Sequence, residues 1–119
     1  PDKAGADLLA RTKALGVRVI KLVDALPSRR SADAIGRQLI RSATSIGANY
    51  RVAKRARSTA EVCAKLGIVE EEADETSYWL ELLAESGLMK PEKLAALRKE
   101  VNEITAIIVR SIKTARTRK

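Results

Sequence analysis

Histidine is absent from this chain, and so is phenylalanine. The first absence removes the commonest general base and the commonest metal ligand. Cys63 is the one cysteine, so no internal disulfide and no paired-thiol metal site can form, and a lone reduced thiol suits the cytoplasm. With no histidine to activate it, Cys63 reads as a small apolar filler at the edge of a core. Three prolines and six glycines are too few for a loop-rich chain, and no glycine-rich loop of the phosphate-cradling kind occurs. Tyr50, Tyr78 and Trp79 are the whole aromatic content, too few and too readily packed to make a base-stacking platform. No apolar run approaches the ~20 residues of a membrane span. The first residues lack the basic-then-apolar pattern of a signal peptide. The absences together leave no support for catalysis, a cofactor or a membrane, and favour a non-enzymatic cytoplasmic protein.

What is present is helix-forming chemistry: Ala, Leu, Ile, Lys, Arg and Glu dominate the 119 residues, enough for one domain, 1–119, with a real core. The formal charge of +8 is unevenly spread. Residues 1–57 hold 13 Lys/Arg against 4 Asp/Glu, residues 58–86 hold 1 against 8, and residues 87–119 hold 9 against 3. An acidic helix between basic segments invites pairing within or between subunits, and the surplus leaves a basic surface for a polyanion.

Four helices are expected. Leu8, Leu15, Val19, Leu22 and Leu26 share one face of a segment over about 6–26, stopped by Pro27. A second, over about 32–56, has Ser31 as its expected N-cap and carries Ile35, Leu39, Ser42, Ile46, Asn49 or Tyr50, and Ala53 inward. Its buried face is small or polar, and arginines mark the other side. Gly47 there costs ~1 kcal/mol against alanine. Either a partner backbone packs closely against it or the glycine is merely tolerated. Ser58-Thr59-Ala60-Glu61 is a capping box that opens a third segment over about 59–86, with Gly87 as the residue just past its end. Pro91 begins a fourth over about 91–115, whose Leu94, Leu97, Val101, Ile104, Ile108 and Ile112 form an almost strict heptad stripe. Lys113, Arg116, Arg118 and Lys119 end it and are expected to fray. Short loops between such helices specify an all-α, up-down-up-down antiparallel four-helix bundle.

The third segment has two seams. Val62, Leu66, Val69, Ala73, Thr76, Leu80 and Leu83 form the inner one; Ile68, Glu72, Glu75, Trp79 and Leu82 run alongside. A helix greasy on two sides touches two sets of neighbours, one of which is either a second helix of the same bundle or a helix of another subunit, with Trp79 as an interface anchor. Glu72 and Glu75 interrupt that apolar seam and need cations, for which Arg37 and Arg41 are the candidates. The run Glu70-Glu71-Glu72 with Asp74 and Glu75 reads as a solvated face with ion pairs. A di-metal bundle would need Glu-x-x-His pairs on two helices. Clustered cations suit nucleic acid, because neutralising phosphates releases counterions. The candidates are Arg37, Arg51, Lys54, Arg55, Arg57, Lys113, Arg116, Arg118 and Lys119. The alternative is a structural or protein-interaction module in which charge serves assembly and solubility.

Three stretches carry a family resemblance: Arg41-Ser42-Ala43-Thr44-Ser45-Ile46-Gly47-Ala48-Asn49-Tyr50, Ala56-Arg57-Ser58-Thr59-Ala60-Glu61, and Glu71-Glu72-Ala73-Asp74-Glu75-Thr76-Ser77-Tyr78-Trp79-Leu80-Glu81-Leu82-Leu83. Together they resemble the bacterial four-helix-bundle proteins encoded in intervening sequences of 23S ribosomal RNA genes, to which the accessory variability determinant of diversity-generating retroelements is related. The match runs from about Lys21 to Ile112. It implies a left-turning up-down bundle assembled as a homopentameric ring, with no catalysis and no cofactor. It also implies RNA or DNA binding and, in the retroelement relative, partnership with a reverse transcriptase. The family usually has an acid soon after the Asn49 position; here Val52 stands there, so a role resting on that carboxylate does not carry over.

Overall fold

The computed structural model describes the backbone of residues 3–118 and the side chains of residues 5–118. Four helices, α1 (Lys3–Asp24), α2 (Arg30–Lys54), α3 (Thr59–Glu85) and α4 (Pro91–Thr117), follow one another through short turns, and no strand occurs among the described residues. Each helix packs on its two neighbours around the bundle: α2 between α1 and α3, and α4 between α3 and α1. The molecule is a rod of 50 × 22 × 20 Å.

The helix stripes become the core. All six members of the α4 heptad are buried, as are Leu8, Leu15 and Val19 of α1 and Leu39, Ile46 and Tyr50 of α2. On α3 the inner seam from Leu66 to Leu83 is buried, while Val62 lies half-covered against the cluster. Of the two α2 candidates, Tyr50 points inward and Asn49 only partly, its amide donating to the Ser45 carbonyl at 2.9 Å. Buried hydroxyls stay satisfied: Ser42 Oγ and Thr76 Oγ1 meet 2.9 Å apart across α2 and α3, and Thr12 Oγ1 donates to the Leu9 carbonyl at 3.2 Å.

Gly47 faces α1, where a built Cβ would sit 3.3 Å from the Thr12 carbonyl oxygen. Close packing of a neighbouring backbone therefore explains this mid-helix glycine. Gly87 has φ +77°, the left-handed turn that ends α3.

Four local expectations need correction. Helix α2 begins two residues early, with Arg29 extended as its N-cap and no side-chain cap, so Ser31 lies exposed inside the first turn. The reciprocal half of the α3 capping box reaches one residue further out: Ser58 Oγ accepts from the Glu61 amide at 3.1 Å, but Glu61 Oε2 accepts from the Arg57 amide rather than that of Ser58. Helices α1 and α2 both stop two residues sooner than expected, at Asp24 and Lys54, because the last amides turn to carbonyls three residues back, as Leu26 does to Val23 and Ala56 to Ala53. Helix α4 continues to Thr117 instead of fraying near Ala115; Lys119 lies outside the described residues.

Candidate nucleic-acid interface

Antiparallel packing sorts the cations by end. The C-termini of α2 and α4 lie with the N-termini of α1 and α3 at one end of the rod. Lys54 and Arg118, 64 positions apart in sequence, line one depression there of about 550 Å³, together with Arg110. Tyr50, Val62, Leu66 and Ile107 contribute its apolar lining, and Asp7 is the one acid among the described lining residues. Arg55 and Arg57 are exposed in the adjoining α2–α3 turn, and Lys113 and Arg116 on the last turns of α4. Two helix N-termini and two C-termini meet at this end, so the backbone dipoles largely cancel and the side chains set the field.

The predicted basic set is thereby divided. Lys54, Arg55, Arg57, Lys113, Arg116 and Arg118 gather at the end. Arg51 lines a different depression, between α1 and α2, with Lys13 on the facing helix. Arg37 is exposed on the second turn of α2, ~21 Å along the helix from Arg51 at 1.5 Å per residue. Arg110 was not among the predicted residues. Its signal is positional: with Ile107, Ser111, Thr114 and Arg118 it follows the helical repeat on a strip beside the α4 heptad.

The residues expected at an interface or in ion pairs lie mostly along the α2–α3 seam. Arg41 pairs with both Glu72 and Glu75 inside the same chain, and Glu75 Oε2 further accepts the Trp79 indole N–H at 2.9 Å. The Trp79 ring packs against the core cluster, with Tyr78 edge-on at 5.2 Å. Leu82 is half-buried on the same side. Arg41, Glu72, Glu75 and Trp79 thus meet across the α2–α3 seam, with Arg41 as the cation expected for the two acids. Ile68 stays exposed and Arg37 lies outside this cluster.

A second charged cluster ties α1 to α4. Arg11 donates two hydrogen bonds to Glu100, at 2.7 and 3.0 Å, and one to Glu103 at 3.0 Å. The bond from Arg11 holds the Glu100 carboxyl below the usual glutamate range against a smaller opposing cost of burial, and the charges of Arg11 and Arg18 add to it. Cys63 is half-buried, and no group of three or more potential metal ligands converges among the described residues. No helix among those residues is long and apolar enough to cross a membrane.

Fold and charge define the class: a small antiparallel helical bundle with a cationic end. Residues 6–110 match the family described as 23S rRNA-intervening sequence protein, and the chain belongs to that family. It is similar to a crystal structure from Bacteroides thetaiotaomicron, a protein of unknown function from the S23 ribosomal protein family, with 33% identity and a TM-score of 0.86. That likeness covers 92% of this chain and 97% of the other. A search of curated proteins gave no match.

Proposed function

We propose that the protein is a non-enzymatic, self-assembling bundle that holds RNA or DNA by its phosphates at the cationic end. One observation carries this reading: Lys54, Arg110 and Arg118, from distant parts of the sequence, share one depression, with further cations on its borders. Arginine and lysine so gathered neutralise a phosphate backbone without reading bases. Assembly as a ring, a pentamer as the family resemblance implies, would multiply the contact by avidity. The same surface would serve an adaptor that brings nucleic acid to an enzyme such as a reverse transcriptase. A second reading has one observation in its favour. Lys54 and Arg116 sit in the last turns of their helices, where cations stabilise helix ends. A structural or protein-interaction module would use them for nothing more.

Titrating labelled single-stranded RNA and duplex DNA between 50 and 300 mM salt separates the two. A cationic end that grips phosphates gives a log–log slope of ~0.9 per duplex contact and ~0.7 per single-strand contact. Arg110→Glu with Arg118→Glu should then weaken binding and flatten the duplex slope by about 2, while Arg37→Glu leaves it unchanged. Absence of binding at the lowest salt refutes the nucleic-acid reading and leaves the structural one.

A further inference from the structure

We propose that the groove between α1 and α2 receives the outer ridge of α3 from a second copy of this chain, in a head-to-tail contact. The inference rests on the reading of the protein as self-assembling and names the surfaces that do it. The groove, of about 640 Å³, is floored by small residues, Gly16, Gly47 and Ala48, and edged by Val17 and Ile20. Val17 is 46% exposed and Ile20 42%, unusually wet for large aliphatics. The floor is low because Gly47 admits the α1 backbone so closely. Lys13 on one wall and Arg51 on the other make the rim basic.

The outer ridge of α3 has the converse character. Ile68 is 37% exposed and Tyr78 52%, and between them Glu71 and Asp74 are exposed. These four recur at three and four residues, so they share one face. Ten residues separate the two apolar knobs, ~15 Å along the helix. The groove runs from Ala6 to Ile20, ~21 Å at the same rise, long enough to accept both.

Charge decides the geometry. Two grooves face to face would oppose Lys13 and Arg51 to their own copies, and two ridges would oppose Glu71 and Asp74 to theirs. Both two-fold pairings are repulsive. Groove to ridge matches apolar to apolar and cation to anion. Such a heterologous contact leaves a pair of copies with one free groove and one free ridge, so further copies add until the rotation closes a ring or, if it does not close, a filament grows.

The test uses two variants of the full chain and light-scattering mass at 50 µM. Val17→Glu disables the groove, and Tyr78→Glu disables the ridge; both sites are exposed, and a wild-type far-ultraviolet circular dichroism spectrum with a cooperative melt shows that each variant is folded, even where loss of assembly lowers the midpoint. Each variant alone should be a monomer. Mixed, they should give a species of two subunits and no larger, since the mixture retains one good groove and one good ridge. If either folded variant keeps the wild-type mass, or the mixture stays monomeric, the groove-to-ridge contact is wrong while self-assembly stands. If the wild type is itself monomeric, both fall. Should a first-choice variant unfold, Ile20→Glu and Ile68→Glu repeat the experiment on the same two surfaces.

Discussion

Removing the Glu75 carboxylate should cost far more than removing that of Glu71, four residues earlier on the same helix. Glu75 receives the Arg41 guanidinium and the Trp79 indole N–H, whereas Glu71 is exposed. The ion pair is not the larger part. The Arg41 side chain is 48% exposed and that of Glu75 34%, so solvent screens the pair to ~0.5 kcal/mol. The indole is half-buried and would lose its acceptor, worth ~1 kcal/mol. Glu75→Ala should therefore cost ~1–2 kcal/mol, and Glu71→Ala less than ~0.5. At ~4 °C per kcal/mol for a domain of this size, the first variant should melt ~4–8 °C below wild type and the second within ~2 °C. Thermal melts at neutral pH read the difference directly. A cycle with Arg41→Ala would show non-additivity, because the two residues touch. Trp79, the only tryptophan, adds a local report: its emission should change in Glu75→Ala and not in Glu71→Ala. Equal melting temperatures for the two glutamate variants would refute the reasoning.

Two further outcomes follow from the packing. At Gly47, alanine gains ~1 kcal/mol of helix propensity and loses much of it against the Thr12 backbone, so Gly47→Ala should melt near wild type. Gly47→Leu must part α1 from α2 and should cost ~1–3 kcal/mol; a wild-type melt for it would mean the two helices do not need this approach. Glu100 has its folded-state pKa lowered by Arg11, so its contribution is complete above the ordinary glutamate value of 4.5 and fades as pH falls through the folded value. Glu100→Gln should therefore flatten the acid side of the stability–pH curve and leave its alkaline side unchanged, as read by urea midpoints from pH 7 down to 3.

Much of the fold was legible because the apolar stripes are long and regular. The α4 heptad needed no tertiary information, and all its members are buried. Helix starts were harder. Ser31 has the chemistry of a cap, yet the backbone turns extended at Arg29, and that choice is made by the loop and not by Ser31. The cationic end was legible as composition and not as a place. Only antiparallel packing brings Lys54 beside Arg118, and Arg110 hides beside the heptad stripe until that packing is known. The seam with Trp79 was legible in its chemistry: an acid within an apolar strip signals a cation, and Arg41 is one of the two candidates, but the pattern does not say which chain supplies it. Arg41 of the same chain does. Val17 and Ile20 drew no notice, because periodicity keeps the apolar residues on the stripe and discards those beside it.

The seam between α1 and α4 is the lightest of the four, and Arg11 with Glu100 and Glu103 spans it. The bundle is thus less a closed cylinder than a curled layer of helices fastened along its last edge by ionic clasps. Thermal agitation, acid or concentrated electrolyte would begin by unfastening that edge. Opening there would swing the first helix outward on its packing against α2, and would bare Leu8, Leu15 and Val19 to water.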